Sequence, residues 1–244
     1  MRPRAVLADN PGPFTLSGTV TYVVGRRDVA VVDPGPDLER HRQRLVEAVA
    51  DAERVRILLT HHHADHAGGA AALAAALGAP LLGEGHPDAD PLPDGAAVET
   101  DQGRLVALAT PGHAERHLCF HWPDARAVFV GDLVLGIGDT TWVGEYPGAV
   151  ADYLASLARL RALEPAVLYP AHGPPLEDAA AAIDRYEAHR RERIAQVERA
   201  LADVPSADVD ELVRRVYGKR VPPGLEAAAR ASVRAILDFL GRDA

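Results

Sequence analysis

The chain has 244 residues, of which 48% are hydrophobic and 25% are charged, a balance that excludes a disordered or fibrous protein. A formal charge of −9 disfavours nonspecific binding to nucleic acid. The single cysteine, Cys119, excludes an internal disulfide, and no stretch is long and apolar enough to span a membrane. We therefore expect a cytoplasmic protein with no membrane contact.

The first part of the chain alternates strand and helix patterns. Residues 14–24 and 29–33 are rich in β-formers and predict a hairpin. Helical spacing of apolar residues then predicts a helix over 37–53, a buried strand over 55–59 and an Ala-rich helix over 67–77.

The second part opens with short strands and closes with helices. The predicted strands are 96–100, 104–109, 117–122 and 126–130, followed by a helix over 149–163 and a strand over 166–169. Further helices are predicted near 176–202, 207–217 and 224–240. The pattern indicates an α/β protein of the α+β type, with two βα-containing halves and a helical appendage.

A histidine cluster follows the predicted strand 55–59. His61, His63, Asp65 and His66 form the pattern His-x-His-x-Asp-His, which chance would produce roughly twice in a thousand such sequences. Imidazole nitrogens and carboxylates are donors that zinc-like ions accept. In a loop that leaves a strand, His61 and His63 point the same way, and His62 is expected to point the opposite way.

Three more donors follow later strands, each beside a glycine. They are His113, Asp132 and His172. We assign His61, His63 and His113 to one ion, Asp65, His66 and His172 to a second, and Asp132 to a place between them. The sequence thus predicts a binuclear metal site.

These residues, in this order, resemble the metallo-β-lactamase superfamily. The resemblance implies a four-layer αββα sandwich with metals at one edge of the two sheets, here over residues 1–177. Three segments, with the helical tail 178–244, are similar to the lactamase-β-like branch: Phe14 to Tyr22, Thr110 to His117 and Gly131 to Gly136. In that branch the tail is winged-helix-like, animal members are endoribonucleases, and bacterial and fungal relatives include thioesterase-like hydrolases.

Two departures from other branches narrow the chemistry that the resemblance implies. Lactamases of the common zinc class have Cys where this chain has Asp132, and the oxygen-reducing diiron branch has Glu where His63 stands. Hydrolysis is therefore favoured over redox chemistry.

The expected function is that of a binuclear zinc hydrolase, with iron or manganese as alternatives to zinc. We expect a metal-bridging hydroxide as nucleophile, Asp65 as a ligand that orients it, and His117 as a partner that orients a ligand histidine. An ester- or thioester-like small molecule is the first substrate class. The alternatives are a single-strand-specific endoribonuclease with RNA as substrate, and a metal-binding module without turnover.

Two further groups have competing interpretations. Thr140, Thr141 and Trp142 form either a pocket wall or an ordinary loop. The arginines at 190, 191 and 193 either meet an anionic substrate or form a solvated helix face, and the second interpretation is favoured.

Overall fold

A computed structural model describes residues 1–218, 221 and 224–242 and contains two five-stranded sheets. The strands are β1 Arg4–Leu7, β2 Val20–Val24, β3 Asp28–Val32, β4 Arg54–Leu58, β5 Leu81–Leu82, β6 Ala97–Thr100, β7 Gly103–Ala109, β8 Leu118–Trp122, β9 Ala127–Gly131 and β10 Val167–Pro170. The helices are α1 Glu39–Ala48, α2 Ala64–Ala67, α3 Ala70–Leu77, α4 Ala149–Ala162, α5 Ala179–Asp203, α6 Val209–Tyr217 and α7 Glu226–Phe239.

The first sheet has the order β1-β2-β3-β4-β5. β2 and β3 form the predicted hairpin, while β3 and β4 run parallel, with Val32 opposite Leu58 at their carboxyl ends. Residues that follow β3 and β4 therefore emerge at the same edge of this sheet.

The second sheet has the order β10-β9-β8-β7-β6. Its strands β6 to β9 are antiparallel neighbours, whereas β10 pairs with β9 in parallel, so that both of these strands also end at one edge. Backbone hydrogen bonds from Val20 N to Ala171 O (2.7 Å) and from Leu118 N to Thr60 O (2.7 Å) join the two sheets there. Loops from both sheets consequently converge on one site.

Three apolar layers hold the sandwich together. The inner faces of both sheets bury one cluster, which includes Tyr22, Leu58, Phe120, Trp122 and Phe129. The outer face of the first sheet packs on α1 to α3, and the outer face of the second packs on α4 to α7. Burial of apolar surface on both faces of both sheets gives the predicted helix–sheet–sheet–helix order.

The helical region after residue 178 packs on the second sheet's helix layer. Ile183, Leu212 and Val233, from α5, α6 and α7, belong to the same buried cluster as Leu157 of α4. The described part of 178–242 contains helices and no strand. Residues 219–220 and 222–223, between the predicted helices 207–217 and 224–240, and residues 243–244 lie outside the described part. The helical appendage is confirmed, whereas its winged-helix likeness and its boundary at 177/178 stay predictions.

Among the described residues, we find no helix with the length and apolar character required to cross a membrane.

Candidate metal centre

The histidine motif begins in the loop after β4 and ends within α2, which contains Asp65 and His66. His61 and His66 are fully buried, and His63, which precedes the first residue of α2, is a quarter exposed. His62 is more exposed, at 42% of its side chain, as expected for the residue between two inward-facing histidines.

The structure brings all seven predicted residues together in two adjoining clusters. Within each cluster, the donor atoms lie within 4.8 Å of one another: His61, His63 and His113 in the first, and Asp65, His66, Asp132 and His172 in the second.

Asp132 lies at the junction of the two clusters. Its Oδ1 is 3.5 Å from His66 Nε2 and 3.4 Å from His172 Nε2, and its Oδ2 is 3.7 Å from His113 Nε2. One carboxylate thus faces both clusters, as predicted. Gly131, at φ +49°, allows this approach, because a Cβ there would lie 2.7 Å from Thr60 Oγ1 and 2.8 Å from His117 Nε2.

Each of the five candidate histidines has one ring nitrogen bonded to an oxygen and the other aimed into the centre. The oxygens are those of the Thr60 hydroxyl for His61, the Glu145 carboxylate for His63, the Asp33 carboxylate for His66, the Trp142 carbonyl for His113 and the Gly18 carbonyl for His172, at 2.9–3.2 Å. An acceptor on one nitrogen places the proton there and leaves the lone pair of the other nitrogen facing the centre.

The electrostatics of the clusters suit cations. In the second cluster, His66 Nε2, His172 Nε2 and Asp132 Oδ1 are buried without a hydrogen-bond partner. Burial opposes the change, but Asp132 and Asp33 raise the pKa of His66 well above its ordinary value, so this position favours positive charge.

In the first cluster, burial and neighbouring imidazoles lower the pKa of His61 well below its usual range, and burial lowers that of His113 to about 4. Neutral imidazoles are the ligand form. The first cluster offers imidazoles and the second offers carboxylates and imidazoles, and both are donor sets that divalent metal ions accept.

Asp33 is a site residue that sequence analysis missed. Its Oδ2 accepts hydrogen bonds from His66 Nδ1 (3.0 Å) and from the Thr60 hydroxyl (2.7 Å), which in turn accepts from His61 Nδ1, and its Oδ1 accepts from Thr60 N (2.8 Å). One buried carboxylate thereby orients a histidine of each cluster. The available signal was its place after β3, the parallel neighbour of β4.

His117 is buried behind the centre. Its Nδ1 hydrogen-bonds the Thr110 hydroxyl (3.0 Å), its Nε2 has no partner, and its ring centroid is 6.2 Å from that of His113. The expected hydrogen bond to a ligand histidine is not formed, because β8 begins directly after His117 and sets its ring against Thr110. His117 contacts the candidate site by packing against Gly131 and the ring of His61.

The loop after β9 forms a wall of the site. Trp142 stacks on His63 with centroids 6.1 Å apart, and Thr141 Oγ1 is 3.4 Å from His113 Nδ1. The buried Arg190 donates to the Thr141 carbonyl (2.9 Å), and Arg191 pairs with Glu187. These contacts support the pocket-wall interpretation of the loop. The favoured prediction of a solvated helix face is wrong for Arg190, which is buried against that loop, and holds for the exposed Arg191.

Comparisons with known proteins agree with this geometry. The sequence profile of the metallo-beta-lactamase superfamily matches residues 14–106 and 83–172. The chain is 30% identical to a beta-lactamase-like protein 2 homolog of Caenorhabditis elegans, covering 98% of this chain and 83% of that protein. It is 36% identical to an atrochrysone carboxyl ACP thioesterase of Aspergillus chevalieri, covering 87% of this chain and 72% of that protein. The crystal structure of a metallo-beta-lactamase family protein from Thermus thermophilus superposes with a TM-score of 0.79 at 25% sequence identity. The superposition covers 98% of this chain and 93% of that protein.

Proposed function

The chain belongs to the metallo-β-lactamase superfamily and is a metal-dependent hydrolase, and on that premise we propose that it holds two zinc ions and hydrolyses a small-molecule thioester. The observation that carries the proposal is the convergence of seven donors into two clusters joined by Asp132. His61, His63 and His113 would hold one ion, and Asp65, His66 and His172 the other, with Asp132 between them. Iron and manganese suit the same donors.

When bound, the ions would supply Lewis acidity, which lowers the pKa of water toward about 7 and polarises a carbonyl oxygen. The residues of the chain fix where a water molecule and a substrate meet. Asp65 is 28% exposed, whereas His66 and His172 are fully buried, so Asp65 is the donor of its cluster that water reaches most readily.

Asp65 is also held in the form that accepts a proton. Burial opposes the shift, but the His172 imidazole, with Nε2 3.2 Å from the Asp65 carboxylate, and the His66 ring lower the pKa of Asp65. An ionised carboxylate at this place accepts a hydrogen bond from water and directs its lone pair at the substrate carbonyl. The overall reaction consumes one water and yields a carboxylic acid and a thiol.

Two observations favour a thioester over RNA as substrate: the name of a relative, and the pairing of arginines in the helical region with glutamates. The Aspergillus chevalieri relative is named an atrochrysone carboxyl ACP thioesterase, which motivates a thioester as substrate. In the helical region, Arg191 and Arg199 pair with glutamates of α5, and Arg214 and Arg215 both pair with Glu211 of α6. Paired arginines offer little free charge to a phosphate backbone. RNA remains the alternative substrate, and the cytoplasmic location stays a prediction.

The test is a comparison of substrates with a matched pair of variants. Purified protein is incubated with acyl-thioesters, nitrophenyl esters and a labelled single-stranded RNA, and released thiol, nitrophenol and RNA fragments are measured. Asp132→Ala removes the carboxylate at the end of β9, and Asp124→Ala removes an exposed carboxylate just before the start of the same strand.

We expect thiol release that is lost in Asp132→Ala and retained in Asp124→Ala. RNA cleavage that is abolished by Asp132→Ala, without turnover of any thioester, would overturn the proposal in favour of the ribonuclease.

A further inference from the structure

His63 differs from the other histidines of its cluster in the nitrogen that it presents. Its Nδ1 is 3.0 Å from His61 Nε2 and 3.1 Å from His113 Nε2, so Nδ1 faces the centre while both neighbours present Nε2. The outward nitrogen of His63, Nε2, is 3.1 Å from Glu145 Oε1. Glu145 is therefore the oxygen partner that sets which nitrogen of His63 carries the proton.

Glu145 is itself fixed in place. Its second oxygen, Oε2, accepts a hydrogen bond from Glu115 N (3.0 Å), and its side chain is 22% exposed. His62 Nε2 is 3.4 Å from Oε1 on the exposed side. The carboxylate bridges the loop after β9, the loop after β7 and the histidine motif, which are three separate parts of the chain.

We propose that Glu145 is a positioning residue that holds His63 in its Nε2–H form and so directs the Nδ1 lone pair into the first cluster. The metal-related part of this inference rests on the proposed function. A neutral imidazole has one lone pair, so a proton on Nε2 is the condition for ligation through Nδ1. A carboxylate partner also raises the basicity of the nitrogen that binds the metal.

The single lone pair of a neutral His63 also argues against a separate cation site formed by His62, His63 and Glu145. His62, His63 and Glu145 have donor atoms close enough to hold a cation of their own. Such a cation would take the Nε2 lone pair of His63, which places the proton on Nδ1 and removes His63 from the first cluster. One neutral His63 serves either the first cluster or this outer group, and its Nδ1 contacts favour the first cluster.

Three variants separate positioning from charge. Glu145→Ala removes both oxygens, and Glu145→Gln keeps one acceptor for His63 while its amide group faces Glu115 N–H. Glu115→Gln is the control, since it removes a nearby exposed carboxylate but keeps the backbone N–H that bonds Glu145.

The first readout needs no metal. In metal-free protein at a pH of about 8, where an ordinary imidazole is neutral, long-range proton–nitrogen NMR reports the tautomer of His63. We expect the Nε2–H form in the wild type, in Glu115→Gln and largely in Glu145→Gln, and a substantial Nδ1–H population in Glu145→Ala. An unchanged tautomer in Glu145→Ala would overturn the proposal.

The second readout is zinc affinity, measured by competition with a chromophoric chelator. We expect about 10- to 100-fold weaker binding of one of two ions in Glu145→Ala, a smaller loss in Glu145→Gln and wild-type binding in Glu115→Gln. Three ions in the wild type and two in Glu145→Ala would overturn the proposal in favour of the outer cation. Should Glu145→Ala not fold, the proposal is tested by Glu145→Gln, whose zinc affinity must then fall below that of Glu115→Gln.

These outcomes are distinguishable from failure of the proposed function. A tautomer change and zinc loss without thioester turnover in the wild type would refute the substrate and keep the role of Glu145. Thioester turnover in the wild type, together with an unaltered tautomer and zinc affinity in Glu145→Ala, would refute the role of Glu145 and keep the proposed substrate.

Discussion

Replacement of Asp33 by asparagine tests whether one buried carboxylate supports both clusters. Asp33 accepts three hydrogen bonds, two on Oδ2 and one on Oδ1. An asparagine has a single acceptor oxygen, and the less costly orientation places it at Oδ2, facing the His66 ring and the Thr60 hydroxyl. Its amide group then faces Thr60 N–H, which is buried and loses its partner.

The expected loss follows from these contacts. An unpaired buried N–H costs about 1–3 kcal/mol, and two charge-assisted hydrogen bonds that become neutral lose about half their strength. We expect Asp33→Asn to lower the free energy of unfolding of the metal-free protein by about 2–4 kcal/mol. Because the imidazoles of His61 and His66 are less firmly oriented, zinc affinity should fall about 10- to 100-fold.

Urea unfolding of metal-free protein and zinc competition titrations measure the two effects. Asp37→Asn is the control, because it removes an exposed carboxylate from the same turn and should change the unfolding free energy by less than about 0.5 kcal/mol. Equal stability and equal zinc affinity in Asp33→Asn and Asp37→Asn would refute the reasoning.

Three further predictions address backbone, pH and ligand ranking. Gly131→Ala should cost at least about 2 kcal/mol in urea unfolding, since its φ is +49° and the added methyl meets side-chain atoms 2.7 Å away. Gly95→Ala, with φ +80° and open space, should cost about 1 kcal/mol, and an equal cost at both would contradict the close approach. Burial lowers the pKa of His41 to about 4, so the unfolded chain binds the extra proton first and stability falls as the pH drops from about 6.5 toward 4. The loss of unfolding free energy between pH 7 and pH 5 should therefore be about 1–2 kcal/mol smaller in His41→Gln than in the wild type, and an identical loss in both proteins would contradict this prediction. Asp132→Ala should reduce kcat/KM more than His117→Ala, because the first removes a donor shared by two clusters and the second a packing contact; equal losses would contradict that ranking.

The grouping of the seven candidate donors was predictable from sequence because these residues follow strands. His61 to His66 follow β4, Asp132 follows β9 and His172 follows β10, and parallel neighbours deliver such residues to one edge. The supporting carboxylates were not predictable in the same way. Asp33 is the last residue of the predicted strand 29–33 and carries no motif, and Glu145 lies in a loop without a periodic pattern, 82 residues from the histidine it contacts.

The fold was predicted in outline, with errors at its edges. β1 at Arg4–Leu7 was missed because only Val6 is buried, so the strand shows no alternation of apolar residues. β5 at Leu81–Leu82 has two residues, too few for a pattern. The predicted strand over 14–24 begins only at Val20, because the Asn10 side chain holds Thr19 and bends the preceding residues into a loop.

We expect two metal ions to lie side by side, one in each cluster. Anomalous diffraction at the zinc absorption edge, from crystals of protein supplied with zinc, tests it most directly. We expect two peaks, one against His61, His63 and His113 and the other against Asp65, His66 and His172, with Asp132 contacting both. A single peak, or peaks remote from Asp132, would contradict the account.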